Sequence, residues 1–390
     1  MLLRKLGKGT IGKLIRLGLV TVVAVIAIEL TLAPAIASFI SSLPNPPTAE
    51  LSTPSVPPEN RPNAKLLIRF LFRFVDNSVF FDGLARVKVG EKFTYIDNRG
   101  NLVVEPQFDA AYPFFDGLAL VMIDDKLGYI DKRGNLVIEP QFDGADHFSE
   151  GLAGVRIGDK EGYIDKKGKI TIQPQFYNVN PFLPDAFPFF EGLAAVSIDK
   201  KFGYIDKTGN IIIKPQFDFA YSFFEGLAAV IIDEKFGYID KTGNIIIKPQ
   251  FDSALPFFQG LAAVIIDKKW GFIDKTGNMI IPPQFDGAFP FFEGRAKVKI
   301  GTHYGYIDKT GNMVIKPQFD DAFIFSEGLA DVKIGNKWGY IDKTGNMVIK
   351  PQFDDAFTFS EGLAAVTIGD KVGYIDKTGN MVIKPQFDHD

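Results

Sequence analysis

The feature that most constrains this chain is its repetition. The tripeptide Pro-Gln-Phe ends at Phe108, Phe142, Phe176, Phe217, Phe251, Phe285, Phe319, Phe353 and Phe387, a spacing of 34 residues broken by one step of 41. A Gly-Leu-Ala, once Gly-Arg-Ala at Gly294, and a Tyr-Ile-Asp, once Phe-Ile-Asp at Phe272, keep the same phase. The run from Phe202 to Asp218 recurs letter for letter from Phe236 to Asp252. A fixed period of this size implies a solenoid, propeller or array in which no unit buries its apolar face alone. The two or three independent domains that 390 residues would otherwise suggest are therefore not expected.

Within one unit the residues read as strands. In the segment from Gly294 to Gly301, Ala296, Val298 and Ile300 fall on one face and Arg295, Lys297 and Lys299 on the other, the period of two that marks a strand with one polar side. Gly339 to Asp342 opens a second strand, and Lys343-Thr344-Gly345 forms a three-residue hairpin loop in which Gly345 takes the left-handed position at least cost. Met347 to Lys350 is the third strand, ended at Pro351, which donates no ladder hydrogen bond. The rest, such as Asp354 to Glu361, is an aromatic-rich return. Residues 64–390 are thus expected to be all-β: nine three-stranded antiparallel meanders in tandem, as an open or superhelical array. A closed propeller is the alternative, disfavoured because propeller blades are usually four-stranded and number four to eight. The one break in period inserts residues 177–183 as a loop, with Phe182 and Leu183 held between Pro181 and Pro184.

These motifs resemble a known family. Lys269-Trp270-Gly271 and Lys337-Trp338-Gly339, each followed by an aromatic residue and Ile-Asp-Lys-Thr-Gly-Asn, then Pro-Gln-Phe, are similar to the WG (KWG) repeat of bacterial proteins. The tryptophan is replaced by Phe93, Leu127, Glu161, Phe202, Phe236, Tyr304 and Val372 in the other units, and the glycine once by Thr94. The resemblance implies a β-repeat architecture and a role in protein interaction or at the cell envelope, with no catalytic residue attached.

Ahead of the repeats lies an export signature. Arg4, Lys5, Lys8, Lys13 and Arg16 precede the apolar run from Leu17 to Ile28, and Ala35-Ile36-Ala37 supplies a small-x-small cleavage pattern, so residues 1–37 are expected to be a signal peptide. An uncleaved anchor over residues 17–40 is the alternative, weakened by Glu29 within the run. Either way the body is expected to be periplasmic or extracellular. Residues 38–63 form a Pro-rich linker with too little apolar content to order itself.

The chemistry points away from catalysis. There is no Cys, the three His (His147, His303, His389) stand in different phases, and no nucleophile, phosphate-loop or zinc motif occurs. A net charge of -4 without a basic stripe argues against nucleic acid. Neither a cofactor nor a metal is expected. One carboxylate per unit, from Asp97 to Asp376, suggests a calcium ladder, but each precedes a turn whose backbone it can cap. Trp270, Tyr304 and Trp338 beside the recurring Tyr suggest an aromatic row that stacks sugars or peptide side chains, unless these rings pack between units. The residue before Pro-Gln-Phe is Glu105, Glu139 and Gln173 early in the chain and Lys214, Lys248, Lys316, Lys350 and Lys384 later, with Pro282 between, a change of sign along one row. The expected function is a non-enzymatic envelope scaffold that binds a protein, peptide or glycan through Phe182, Leu183, Trp270, Tyr304 or Trp338. A structural spacer or self-associating surface-layer element is the alternative, suggested by a chain end without a polar closing unit.

Overall fold

The structure, a computed structural model, describes residues 79–177 and 188–389. The residues read as a signal peptide or anchor, those read as a linker, and the inserted residues Phe182 and Leu183 lie outside this range.

Repeat 5 shows how one unit is built. Phe224 and Leu227 exchange both backbone hydrogen bonds across Glu225-Gly226, and both turn residues have positive φ, 52° and 88°. That is the type I′ geometry matching the twist of the strands it joins. The long strand Leu227–Ile232 pairs antiparallel with Lys235–Asp240, and this pairs in turn with Ile245–Phe251. At the second hairpin the first turn residue is again left-handed, as at Asp233. The third turn is the expected type I loop closed by a left-handed glycine, with Gly243 N donating to Asp240 O at 3.0 Å and φ of 87°.

Opposite Gly237 the third strand bulges: Tyr238 faces Ile247 and Phe236 faces Phe251, so the strand from Ile247 to Phe251 arches over the glycine. A β-carbon at Gly237 would stand 2.6 Å from Ile247 O and 2.8 Å from Pro249 N. This close approach is the physical reason for the glycine in the Trp-Gly pair. Repeat 1 tests it, because Thr94 takes that place. There the Thr94 hydroxyl bonds Val104 O, and the third segment keeps only isolated bridges, Phe93 with Phe108 and Ile96 with Leu102.

Two expectations change at the level of the sheet. The segment read as a return contributes a fourth, short strand, such as Phe219–Ala220 against Ile231 and Val230. And the face of the long strand Arg295–Ile300 read as polar is closed at its centre: Arg295 and Lys299 are partly buried and Lys297 is buried, its Nζ donating to Ala322 O at 2.7 Å and lying 3.8 Å from the centre of the Phe289 ring. Sheets of neighbouring repeats stack on both faces of this strand, so the alternating pattern reports position in the strand and not access to water.

The array is a closed β-propeller, which corrects the preference for an open or superhelical solenoid. Among the described residues, seven sheets each belong to one repeat. The eighth has six strands, those of repeat 1 (Ala85–Val89 and Lys92–Ile96) and those of repeat 9, joined by a single bridge from Lys88 to Asp388. Eight sheets, mostly four-stranded, fall inside the range that counting nine three-stranded units seemed to exclude. Contacts made between successive repeats recur between the last and the first. Gly226 N donates to Glu191 Oε2 of the repeat before it at 3.0 Å, and Gly83 N donates to Glu361 Oε2 at 2.9 Å. Ser326 Oγ donates to Phe359 O at 2.8 Å, and Ser360 Oγ to Phe80 O at 2.7 Å. The end of the repeat array is therefore not an uncapped surface; repeat 1 covers it.

Candidate binding surfaces

The recurring Tyr is the cement between repeats. Tyr238 is fully buried, its ring 4.8 Å from that of Phe257 and its hydroxyl donating to Leu255 O, both in the next repeat, at 2.7 Å. Burial pushes its phenol well above the usual range. Tyr95, Tyr129, Tyr204, Tyr306 and Tyr340 make the same hydroxyl-to-carbonyl bond 17 residues on. Each such bond contributes about 1 kcal/mol beyond the area its ring buries. This row is core and is not presented to a ligand.

The flanking position differs from repeat to repeat. Trp338 is 3% exposed, with its ring 5.8 Å from Phe323. Trp270 and Tyr304 are partly exposed. Burial raises the Tyr304 phenol to about 12, with Asp321 adding to the effect, and Lys297 Nζ lies 4.8 Å from its ring centre. The three residues thus occupy equivalent places in successive repeats 6, 7 and 8, and Trp270 and Tyr304 are the two that reach solvent.

The carboxylate row closes its own turns. Asp240 Oδ1 accepts from Thr242 N at 2.9 Å, Thr242 Oγ1 at 2.7 Å and Asn244 N at 2.9 Å, and Oδ2 accepts from Asn244 Nδ2 at 3.0 Å. The Thr242 hydroxyl foremost, and then the Asn244 bonds, draw the carboxyl down to about 2. Two further acidic rows escaped the sequence reading although the constant Phe-x-Glu-Gly and Pro-Gln-Phe-Asp spacing carried them. Glu191 accepts from Gly226 N and pairs with Lys241 at 2.9 Å, while Asp252 pairs with Lys235 at 2.6 Å. Both rows stitch one repeat to the next, and being exposed each pair is worth only a few tenths of a kcal/mol, up to about 1.

One junction departs from this pattern. In repeat 3, Gly144, Asp146, Gly154, Arg156 and Glu161 line a small pocket of about 50 Å³. Register explains their meeting: Gly144 pairs with Arg156 and Arg156 with Glu161, while Asp146 N bonds Gly154 O, so all five share one face. In repeat 5 the equivalent face carries Phe219, Tyr221 and Phe236, whose rings pack together. Desolvation, then Glu161, raises Asp146 to about 7, and desolvation lowers the adjacent His147 to about 4. The substitutions were visible in the sequence, but that they share one face was not.

The third strands give the ring its edge. Except in repeat 3, where Thr171 follows Ile170, each opens on two aliphatic residues, most of them exposed, such as Ile211 and Ile212 at 51% and 46%. The row of Glu and Lys before Pro-Gln-Phe follows on the same strands and is exposed throughout.

Comparison with known proteins agrees with this architecture. Among solved structures the chain resembles a eukaryotic initiation factor, with 11% identity over 77% of this chain and 95% of the other and a TM-score of 0.58. It also resembles the dihydro-heme d1 dehydrogenase NirN, at 11% identity over 80% and 75% with a TM-score of 0.43. The surface component PorZ of Porphyromonas gingivalis matches at 9% over 79% and 51% with a TM-score of 0.34. At such identities only the first likeness bears on the fold, and it bears on nothing else. No curated protein matches the sequence. The model of the WG containing repeat matches nine times, over residues 93–126, 128–160, 162–202, 202–236, 236–270, 270–301, 304–338, 338–371 and 373–389, and the chain belongs to that family.

Proposed function

We propose that the protein is a non-catalytic binding scaffold of the cell envelope, whose ring displays side chains to a protein, peptide or glycan partner. The observation that carries this reading is where the repeated polar side chains go. The Asp of each Asp-Lys-Thr-Gly-Asn turn, the Glu of each Glu-Gly turn and the Asp after Pro-Gln-Phe are engaged in turns or in bonds to the next repeat. Exposed positions that vary between otherwise uniform copies lie on the edge strands, at the partly exposed Trp270 and Tyr304, and at the pocket of repeat 3, beside buried changes such as Lys297 and Asp331 where other repeats have Ala. A scaffold whose frame is uniform and whose exposed positions vary suits recognition better than turnover. Export by residues 1–37, or anchoring by residues 17–40, places the ring outside the cytoplasm in this proposal.

The test is saturable capture. Immobilised full-length protein is exposed to fractionated envelope extract and to a glycan panel, with the soluble protein as competitor. A component that is retained, competed away, and lost on substituting Trp270 and Tyr304 by Ala supports the reading. Absence of saturable retention from every fraction would leave a structural spacer as the better account.

A further inference from the structure

We propose that the arc of the ring formed by repeats 4 to 9 is a docking surface for an anionic lipid bilayer. On its third strands exposed aliphatic pairs, Ile211-Ile212, Ile245-Ile246, Met347-Val348 and Met381-Val382, stand beside exposed lysines; in repeat 6 the exposed pair Met279-Ile280 is followed by Pro282, and in repeat 7 Lys316 follows a half-buried pair. Among the described residues, Lys214, Lys248, Lys316, Lys350 and Lys384 have no ion-pair or hydrogen-bond partner for their ammonium groups. This sets them apart from the lysines that stitch the repeats, such as Lys235 and Lys241, which are held by Asp252 and Glu191. Each pair follows directly on its Asp-Lys-Thr-Gly-Asn turn, so ring closure brings the pairs round on the rim that carries those turns.

The chemistry selects the occupant. Free ammonium groups alone would suit any polyanion. Ammonium groups two residues from exposed Ile, Val or Met suit an interface that takes both, where the aliphatic side chains enter the headgroup boundary and the lysines meet lipid phosphate. Pairing with the edge of a second copy is blocked, because Pro215 and its counterparts lack an N–H and the strand is bulged. The remaining arc also exposes Leu136 and Val137 but differs in charge: Glu105, Glu139 and Gln173 replace the lysines, and Thr171 breaks an aliphatic pair. That arc turns away from the membrane. The inference is separate from capture of a soluble partner, and either stands without the other.

The chain has no Cys, which allows a local probe in the full-length protein. Ile246→Cys and, on the acidic arc, Val137→Cys are each labelled with an environment-sensitive fluorophore and mixed with phosphatidylcholine vesicles with or without phosphatidylglycerol. Any insertion by the N-terminal apolar run leaves the contrast between the two labels intact. The label at position 246 should shift to the blue and be quenched by a lipid-borne quencher, only with phosphatidylglycerol, while the label at position 137 stays as in water. Lys→Gln changes among the five lysines should weaken the response about fivefold for each charge removed, with unchanged circular dichroism. Equal responses at both labels, or none at either, would overturn the proposal. So would a response at position 246 to soluble polyglutamate and not to vesicles, which would assign the arc to an acidic protein.

Discussion

The junction between repeats 4 and 5 and the seam between repeats 9 and 1 perform the same task with different material. At the first, an exact sequence repeat supplies the full set: Tyr204 bonds Tyr221 O at 2.6 Å, Glu191 holds both Gly226 N and Lys241, and Gly243 sits against Ile213. At the seam the backbone latch is kept, Gly83 N to Glu361 and Gly90 N to Asp388 Oδ2 at 2.7 Å, but the side chains thin out. Asn98 stands where other repeats have the latch lysine, and Thr94 prevents a regular third strand in repeat 1. Desolvation foremost raises the Glu361 carboxyl. The comparison teaches that closure needs no special device. The ordinary junction, even when impoverished, suffices because the other contacts have already brought the two ends together.

The largest effect should come from removing the seam. Truncation before Asp354 strips Tyr374, Ile383 and Phe387 from the cluster that buries Phe80, Ala85, Val87 and Ile96. Loss of more than about 5 kcal/mol is expected, seen as a broad thermal transition well below that of the intact chain. A sharp transition at the original temperature would mean that repeat 9 does not close the ring.

A smaller effect separates the two regions at one position. Gly237→Ala forces a methyl group against Ile247 O and should cost about 2 kcal/mol. Thr94→Ala, at the seam, removes one hydroxyl bond from a strand already displaced and should cost about 1 kcal/mol. Urea titration of both variants checks the order, and equal costs would refute the bulge as the reason for the glycine.

The smallest effect sharpens the seam itself. Asn98→Lys restores the missing partner of Glu361. Because the folded Glu361 carboxyl is raised, its contribution to stability is fully present below its unfolded value and is lost as pH rises through the folded one. The added lysine offsets that loss, so a gain of about 0.5 kcal/mol should appear at pH 7 and vanish near pH 4, read as the difference in melting temperature between wild type and variant.

Local features were legible in the sequence wherever a single residue type is demanded by geometry. Gly345 adopts φ of 91°, in the left-handed turn assigned to it. The third strand runs from Met347 through Pro351 to Phe353, beyond the proline taken as its end, because the edge strand needs no N–H there. Closure was not legible, since it depends on a small rotation accumulated over every junction and no residue encodes it. The fourth strand was missed because two residues, such as Ser253–Ala254, leave no periodic trace. For the candidate surfaces, Trp270 and Trp338 read alike in sequence yet differ in burial; Trp338 packs beside Phe323, where repeat 6 has Leu255. The pocket of repeat 3 required knowing which residues stand opposite one another across two strand pairs.

Closure of nearly identical copies also bears on how such a gene can change. Copies alike over 17 residues, as from Phe202 and from Phe236, invite unequal recombination, which adds or removes whole units. In an open solenoid any number of units would be acceptable. Here a gained or lost unit has to be absorbed by the angle at every other junction, so copy number is held by geometry and variation is left to single residues.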